Sequence, residues 1–220
     1  MPDDPRHRLL HAAAEVYAQH GWRGATTRRI AEAAGVNEVT LFRHFGSKDA
    51  LLGTAVAELA RVTEETNLPA VPVCPEAELL EWSRAHHAAT STMRDLVRQL
   101  MSDAREHPEP AHCASDGVLA GFARLRQYVL ALRRHGFMNG PAPVTPAEVR
   151  GAVTMLMGAV FADAMNRELM PAMFPLSPDA SLRAYVRTFL RGIGVPVGIP
   201  AGIPTGMPSE RTTAAVRTPE

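Results

Sequence analysis

Lysine is almost missing from this sequence: Lys48 is the only one, every other basic position being arginine. Cysteine is nearly as scarce. Cys74 and Cys113 stand in no metal-ligand spacing with each other, and a reducing compartment leaves both as free thiols, so no structural disulfide is expected. The chain has no run of about 18 apolar residues, and the opening MPDDPRHR lacks the apolar stretch of a signal peptide. Neither export nor membrane insertion is therefore expected, and the cytoplasm is the expected location. No HExxH, GxSxG, phosphate loop or CxxC pair is present, which removes the main grounds for expecting an enzyme or a cofactor. No metal site is expected either. His86 and His87 are adjacent on a helix and point apart, and His112 with Cys113 has no third ligand at useful spacing.

Net charge is also absent, since 23 basic residues balance 23 acidic ones. That balance is not uniform along the chain. From 6 to 48 there are seven basic residues (Arg6, Arg8, Arg23, Arg28, Arg29, Arg43 and Lys48) against Glu15, Glu32 and Glu38. A local excess of four suits a phosphate-facing surface on an otherwise neutral protein.

What is present is apolar helical periodicity. With 46% hydrophobic and 21% charged residues in 220, the chain can bury one or two small cores. Residues 26–48, TTRRIAEAAGVNEVTLFRHFGSK, hold the densest pattern. Ile30, Ala31 and Ala34 form one apolar stripe and Gly35 can take the left-handed conformation that ends a helix. Asn37 is a good N-cap for a second helix, whose Leu41 and Phe45 point back at the first. A helix from 37 to 45 is about 12 Å long, comparable with the width of a DNA major groove. With Leu41 and Phe45 inward, Glu38, Val39, Thr40, Arg43 and His44 face outward. Helix, short glycine-bearing turn, helix is the geometry that seats a second helix in that groove.

Periodicity predicts a supporting helix over 5–19 and a longer one from Ser47 to about 63. The proline-rich 67–75 reads as a loop. Further helices are predicted over 77–89, 92–106, 113–135, 146–168 and 178–192, with no competing strand alternation. The last stretch repeats glycine, apolar residue, proline and then turns polar, so 194–220 reads as a flexible tail. The expected organisation is all-α: a helix-turn-helix domain over 1–48, a connecting helix over 49–66, and a regulatory and dimerisation domain over 76–193.

The runs TTRRIAEAAGV, TLFRHF and SKDALL, in that order, resemble the TetR (AcrR-type) family of transcriptional regulators. The resemblance implies an Ω-shaped homodimer whose C-terminal helices hold a ligand pocket and whose last two helices form a four-helix interface. It also implies that Thr26, Thr27, Phe42, His44 and Lys48 face phosphates, and that Arg28, Val39, Thr40 and Arg43 reach base edges. This sequence departs from the family pattern at Phe42, where a tyrosine is common, and at Val39, where glycine is common.

Read from their own chemistry, Arg28 and Arg43 are guanine readers or phosphate clamps. Val39 and Thr40 can meet a thymine methyl, and Glu38 either accepts from a cytosine amine or complements the helix dipole. Trp82, His86, Met93, Met101, Phe122, Met155 and Phe161 are candidates to line a cavity for a largely apolar small molecule, or are plain core. Gly151, Gly158 and Ala162, with Phe189 and Leu190 as bulk, form a candidate dimer face or ordinary internal packing. The expected function is a ligand-responsive DNA-binding regulator, a repressor, acting as a homodimer on a pseudo-palindromic double-stranded operator. The rival is a helical small-molecule-binding protein or enzyme with no DNA role.

Overall fold

A computed structural model describes residues 4–62, 67–140 and 143–198, the side chains of 59–62, 114 and 116 apart. Among the described residues every regular element is helical: α1 Pro5–Gly24, α2 Thr27–Ala34, α3 Glu38–Phe45, α4 Lys48–Val62, α5 Pro75–Thr92, α6 Arg94–Asp103, α7 Pro108–Arg134, α8 Pro146–Asn166 and α9 Pro178–Gly192, with a short 3-10 turn at Pro171–Met173. No helix among these residues is long and apolar enough to cross a membrane.

Local chemistry explains most of the boundaries. Asp4 caps α1 by accepting the Arg6 N–H (3.1 Å), and Pro5 sits where a missing N–H costs nothing. Gly21 takes a left-handed φ of 66°, which breaks α1 just past the expected end at Gln19. Thr26 caps α2 through the Arg29 N–H (3.2 Å), and Gly35 closes it with a φ of 64°. Asn37 caps α3 through the Val39 N–H (2.9 Å), and Ser47 accepts the Ala50 N–H (3.1 Å) at the start of α4. Thr145 and Glu148 form a reciprocal capping box on α8.

Two boundaries differ from expectation. The helix expected from Cys113 starts at Pro108, because Pro108 and Pro110 occupy the first turn, where backbone N–H groups have no helical partner to lose. The helix expected over 92–106 instead starts at Arg94, after α5 has ended at Thr92.

The molecule has two apolar cores. One gathers Leu9, Tyr17, Ile30, Leu41 and Leu52 of α1 to α4, with Phe45 partly buried against it. The other gathers Leu79, Leu125, Val153, Val186 and their neighbours from α5, α7, α8 and α9. The division does not fall at the proline-rich loop, because Leu96 and Leu100 of α6 belong to the first core. Nor does the tail begin at 194: Val195 is buried in the second core and the Gly194 carbonyl accepts the Asn139 N–H (2.9 Å). The rest of the expected tail, 199–220, lies outside the described residues.

One charge lies inside the second half. Asp163 of α8 is fully buried and accepts hydrogen bonds from His87 (3.0 Å), from the Arg167 Nε (2.8 Å) and Nη2 (2.6 Å), and from the Tyr185 hydroxyl (3.0 Å). It thereby joins α5, α8 and α9. Burial alone would raise its pKa, but the bonds from Arg167, His87 and Tyr185 outweigh burial and hold the carboxyl below its ordinary value. A lowered folded-state pKa means stability that is complete above the unfolded value of about 3.9 and lost as pH falls through the folded one. Asp163→Asn should cost about 3 kcal/mol at neutral pH in denaturant unfolding, since it leaves the half-buried Arg167 short of its charged partner. It should also remove part of the wild type's loss of stability between about pH 4 and the folded-state pKa.

Candidate DNA-binding face and apolar cleft

The outer face of α2 and α3 carries most of the residues the sequence singles out. Thr26, Arg28, Val39, Phe42, Arg43 and His44 are exposed; Thr27, Glu38, Thr40 and Lys48 are half-buried. Leu41 is fully buried, so the helix presents its opposite side, with Val39 71% and Phe42 49% exposed.

The cations on this face differ in what they already hold. Arg28 donates its Nε to Glu32 one turn on (2.9 Å), and that bond raises the guanidinium pKa. Arg29 donates to the Gly24 carbonyl (2.8 Å). Arg43, among the described residues, has neither a hydrogen bond nor an ion pair, so its five donors are free on the exposed side of α3. The Glu38 carboxylate accepts the Thr27 hydroxyl, tying the start of α3 to the start of α2.

Lys48 is held more tightly than a simple phosphate-facing lysine would be. Its ammonium donates to the Trp22 carbonyl (2.8 Å) and lies 4.3 Å from the centroid of the Trp22 ring. Burial lowers its pKa. Trp22 in turn stacks on His107 at 4.3 Å and donates its N–H to Asp103 (3.0 Å), which also accepts from Gln99 (3.0 Å). This junction joins α1 and α4 to α6 and to the turn before α7. Asp103 and His107 lie 81 and 85 positions from Trp22 and carry no local signal in the sequence.

Behind the junction opens an apolar cleft of about 710 Å³ between α4, α5, α6, α7 and α8. Five of the seven expected cavity residues line it: His86, Met93, Met101, Phe122 and Phe161. Two do not. Trp82 is buried behind the wall, stacked on His86 at 5.3 Å and an interplanar angle of 12°, because it sits one turn deeper in the second core. Met155 is 71% exposed on the outer side of α8. Thr90, Val97 and Leu100 also line the cleft; they continue the stripe begun by His86 and Met93 at steps of three and four, a signal available in the sequence. Among the described residues, no lysine, arginine, aspartate or glutamate lines it.

Gly151 and Gly158 are exposed, with nothing within 4 Å of a Cβ built on either, and Ala162 is half-buried. Phe189 and Leu190 are a correction to the expected dimer face. They are 6% and 0% exposed within the second core, where the apolar side of α9 packs on α5 and α8.

The profile of bacterial regulatory proteins of the tetR family matches residues 9–63. Over 108 residues the chain is 32% identical to the HTH-type transcriptional repressor AcnR of Corynebacterium glutamicum, covering 46% of this chain and 54% of that protein. The chain thus spans about half the length of the curated relatives it matches. In fold it is similar to a TetR-family regulator from Mesorhizobium loti, with a TM-score of 0.68 and 21% identity over 85% of this chain and 95% of the other. It is likewise similar to SmeT, the repressor of the Stenotrophomonas maltophilia multidrug efflux pump SmeDEF, with a TM-score of 0.65 and 18% identity over 94% and 98% of the two chains. Residues 9–63, which include the helices that build the exposed arginine face, thus match the tetR family of bacterial regulatory proteins, and the fold of the chain is similar to that of TetR-family regulators.

Proposed function

We propose that this protein is a DNA-binding transcriptional repressor that acts as a homodimer on a pseudo-palindromic operator and is released by an apolar small molecule. The observation that carries the reading is Arg43, exposed and, among the described residues, unpartnered on a helix whose other side is locked into the core by Leu41. Beside it, Val39, Thr40 and His44 form a short helical face of the size a major groove admits. Thr26 and Thr27 at the start of α2 flank it as phosphate contacts, Thr27 through its backbone N–H because its hydroxyl is given to Glu38; Phe42 stands beside them with no donor of its own, and the Lys48 ammonium keeps donors beyond the one given to Trp22. Arg28 reaches DNA by exchanging Glu32 for a phosphate or a base, which makes it the weaker contributor of the two arginines. Glu38 serves the helix pair through Thr27 rather than reading a base.

The cleft is the effector site of this scheme. Leu100 lines it and also belongs to the N-terminal core, and Gln99 and Asp103 on the same helix reach Trp22. A ligand that shifts α6 therefore acts on the support of α2 and α3, with a coupling no larger than its differential affinity for the two arrangements. In the dimer, the exposed side of α8 at Gly151, Met155, Gly158 and Ala162 meets its copy, and the two α3 helices lie about 34 to 36 Å apart or somewhat wider. The expected domain roles follow, with α6 shared between them.

Fluorescence anisotropy on DNA from upstream of the protein's own gene tests the reading. Arg43→Ala should weaken binding about 5- to 150-fold, the loss expected for one good arginine contact, and raised salt should weaken both proteins. Binding indifferent to the substitution and to salt would sink it. Met155→Arg, on the outer side of α8, should shift the protein toward monomer in light scattering and lower operator affinity with it. A stable dimer in that variant would place the interface elsewhere.

A further inference from the structure

His86 is a polar group in an apolar place. It lines the cleft from α5, half-buried, and among the described residues neither ring nitrogen has a hydrogen-bond partner. Its ring plane is fixed from behind by the stack on buried Trp82. Burial, with the Arg124 and His87 charges nearby, pushes its pKa below the ordinary value, so near neutral pH the ring is an uncharged imidazole with one donor and one acceptor. Thr90, one turn on, and Thr154, on α8, also line the cleft, and among the described residues neither hydroxyl has a hydrogen-bond partner. Gly121 keeps the space beside the imidazole open: a Cβ there would stand 3.4 Å from the Met157 Cε and 3.9 Å from the His86 Cε1.

Unpaired polar groups in apolar surroundings are costly until a partner arrives, and a ligand that brings one gains a bond that water does not fully match. A ligand with a net charge gains less, because among the described residues no lining side chain carries an opposite charge to offset its desolvation. The walls that remain are Met93, Met101 and Met157 with Phe122 and Phe161, and thioethers make favourable contacts with aromatic rings.

We propose that the cleft selects uncharged aromatic molecules bearing a hydroxyl group, with His86 as the side chain that holds the hydroxyl and Thr90 as its neighbour. The proposal rests on the reading of the cleft as the effector site. It assigns that site a ligand chemistry and a recognition residue.

Three probes of one shape test it on the full chain: 4-phenylphenol, biphenyl and biphenyl-4-carboxylate, titrated against tryptophan fluorescence and by calorimetry. The phenol should bind about 3- to 12-fold more tightly than biphenyl, the value of one hydrogen bond, and the carboxylate more weakly than either. His86→Phe keeps a ring against Trp82 but has no nitrogen; in it the phenol and biphenyl should bind alike. Thr90→Val, nearly isosteric, should reduce the preference for the phenol without changing biphenyl affinity. Tightest binding of the carboxylate, equal binding of all three, or a phenol preference that survives in His86→Phe would each overturn hydroxyl selection while leaving an effector cleft in place. If none of the three binds, the cleft reading fails, and the ligand assignment fails with it.

Discussion

Leu96 and Leu100 of α6 are buried in the core of the N-terminal helices, and that insertion is the constraint on which the rest of the molecule depends. Without it, α1 to α4 would be a small bundle attached through a helix and a proline-rich loop. With it, a helix that lines the cleft is also part of the hydrophobic support for the exposed face of α3. Close-packed interiors do not deform gradually, so two elements that share core side chains move together or not at all. The polar contacts point the same way. Trp22 is held from α6 by Asp103, from the next turn by His107, and from the start of α4 by Lys48. The single lysine of the chain thus sits where its ammonium meets both a carbonyl and a ring face.

The other end of α6 is anchored too. Arg94 donates to the Ala164 carbonyl (2.9 Å) and Arg98 to the Met165 carbonyl (2.8 Å), both in the last turn of α8, where carbonyls have no helical partner. These bonds neutralise part of the negative end of the α8 dipole with two cations. One helix of ten residues, α6, therefore touches the cleft, the N-terminal core and the C-terminal end of α8. Its position is over-determined at both ends, which makes it a rigid link rather than a hinge.

Much of the N-terminal region was legible in the sequence because its signals are local. Gly35 and Asn37 mark their helix ends by backbone conformation and capping chemistry, and Leu41 follows from helical spacing alone. What escaped reading depends on distant pairing. The role of Trp22 is set by His107 and Asp103, 85 and 81 positions away, whereas the Arg28–Glu32 pair lies one turn apart on α2 and is a local signal. Phe189 and Leu190 look like an interface from bulk and helical position; only the packing of α9 against α5 and α8 shows that the subunit buries them itself. The proline-rich start of α7 misled for a different reason. Prolines break a helix in its middle but suit its first turn, and periodicity cannot say which of the two applies.

His86 and His87 show how much one step along a helix changes. Adjacent residues on α5 point roughly 100° apart, so one imidazole opens on the cleft while the other donates to buried Asp163. Asp163 also binds Arg167 and Tyr185, and Arg167 reaches on to the Phe174 carbonyl (3.1 Å) and the Ser181 hydroxyl (3.0 Å). The cleft wall is thus backed, through α5, by a polar network that fixes how α8 and α9 sit together. A buried carboxylate with this many donors is a poor source of net stability, since desolvation cancels much of the attraction, but it is sharply directional. Close packing already resists sliding of α5 against α8, and bonds to both oxygens of Asp163 from three other residues add a directional constraint on their register. The cleft keeps its shape because the charge behind it admits a single arrangement of the helices that form its wall.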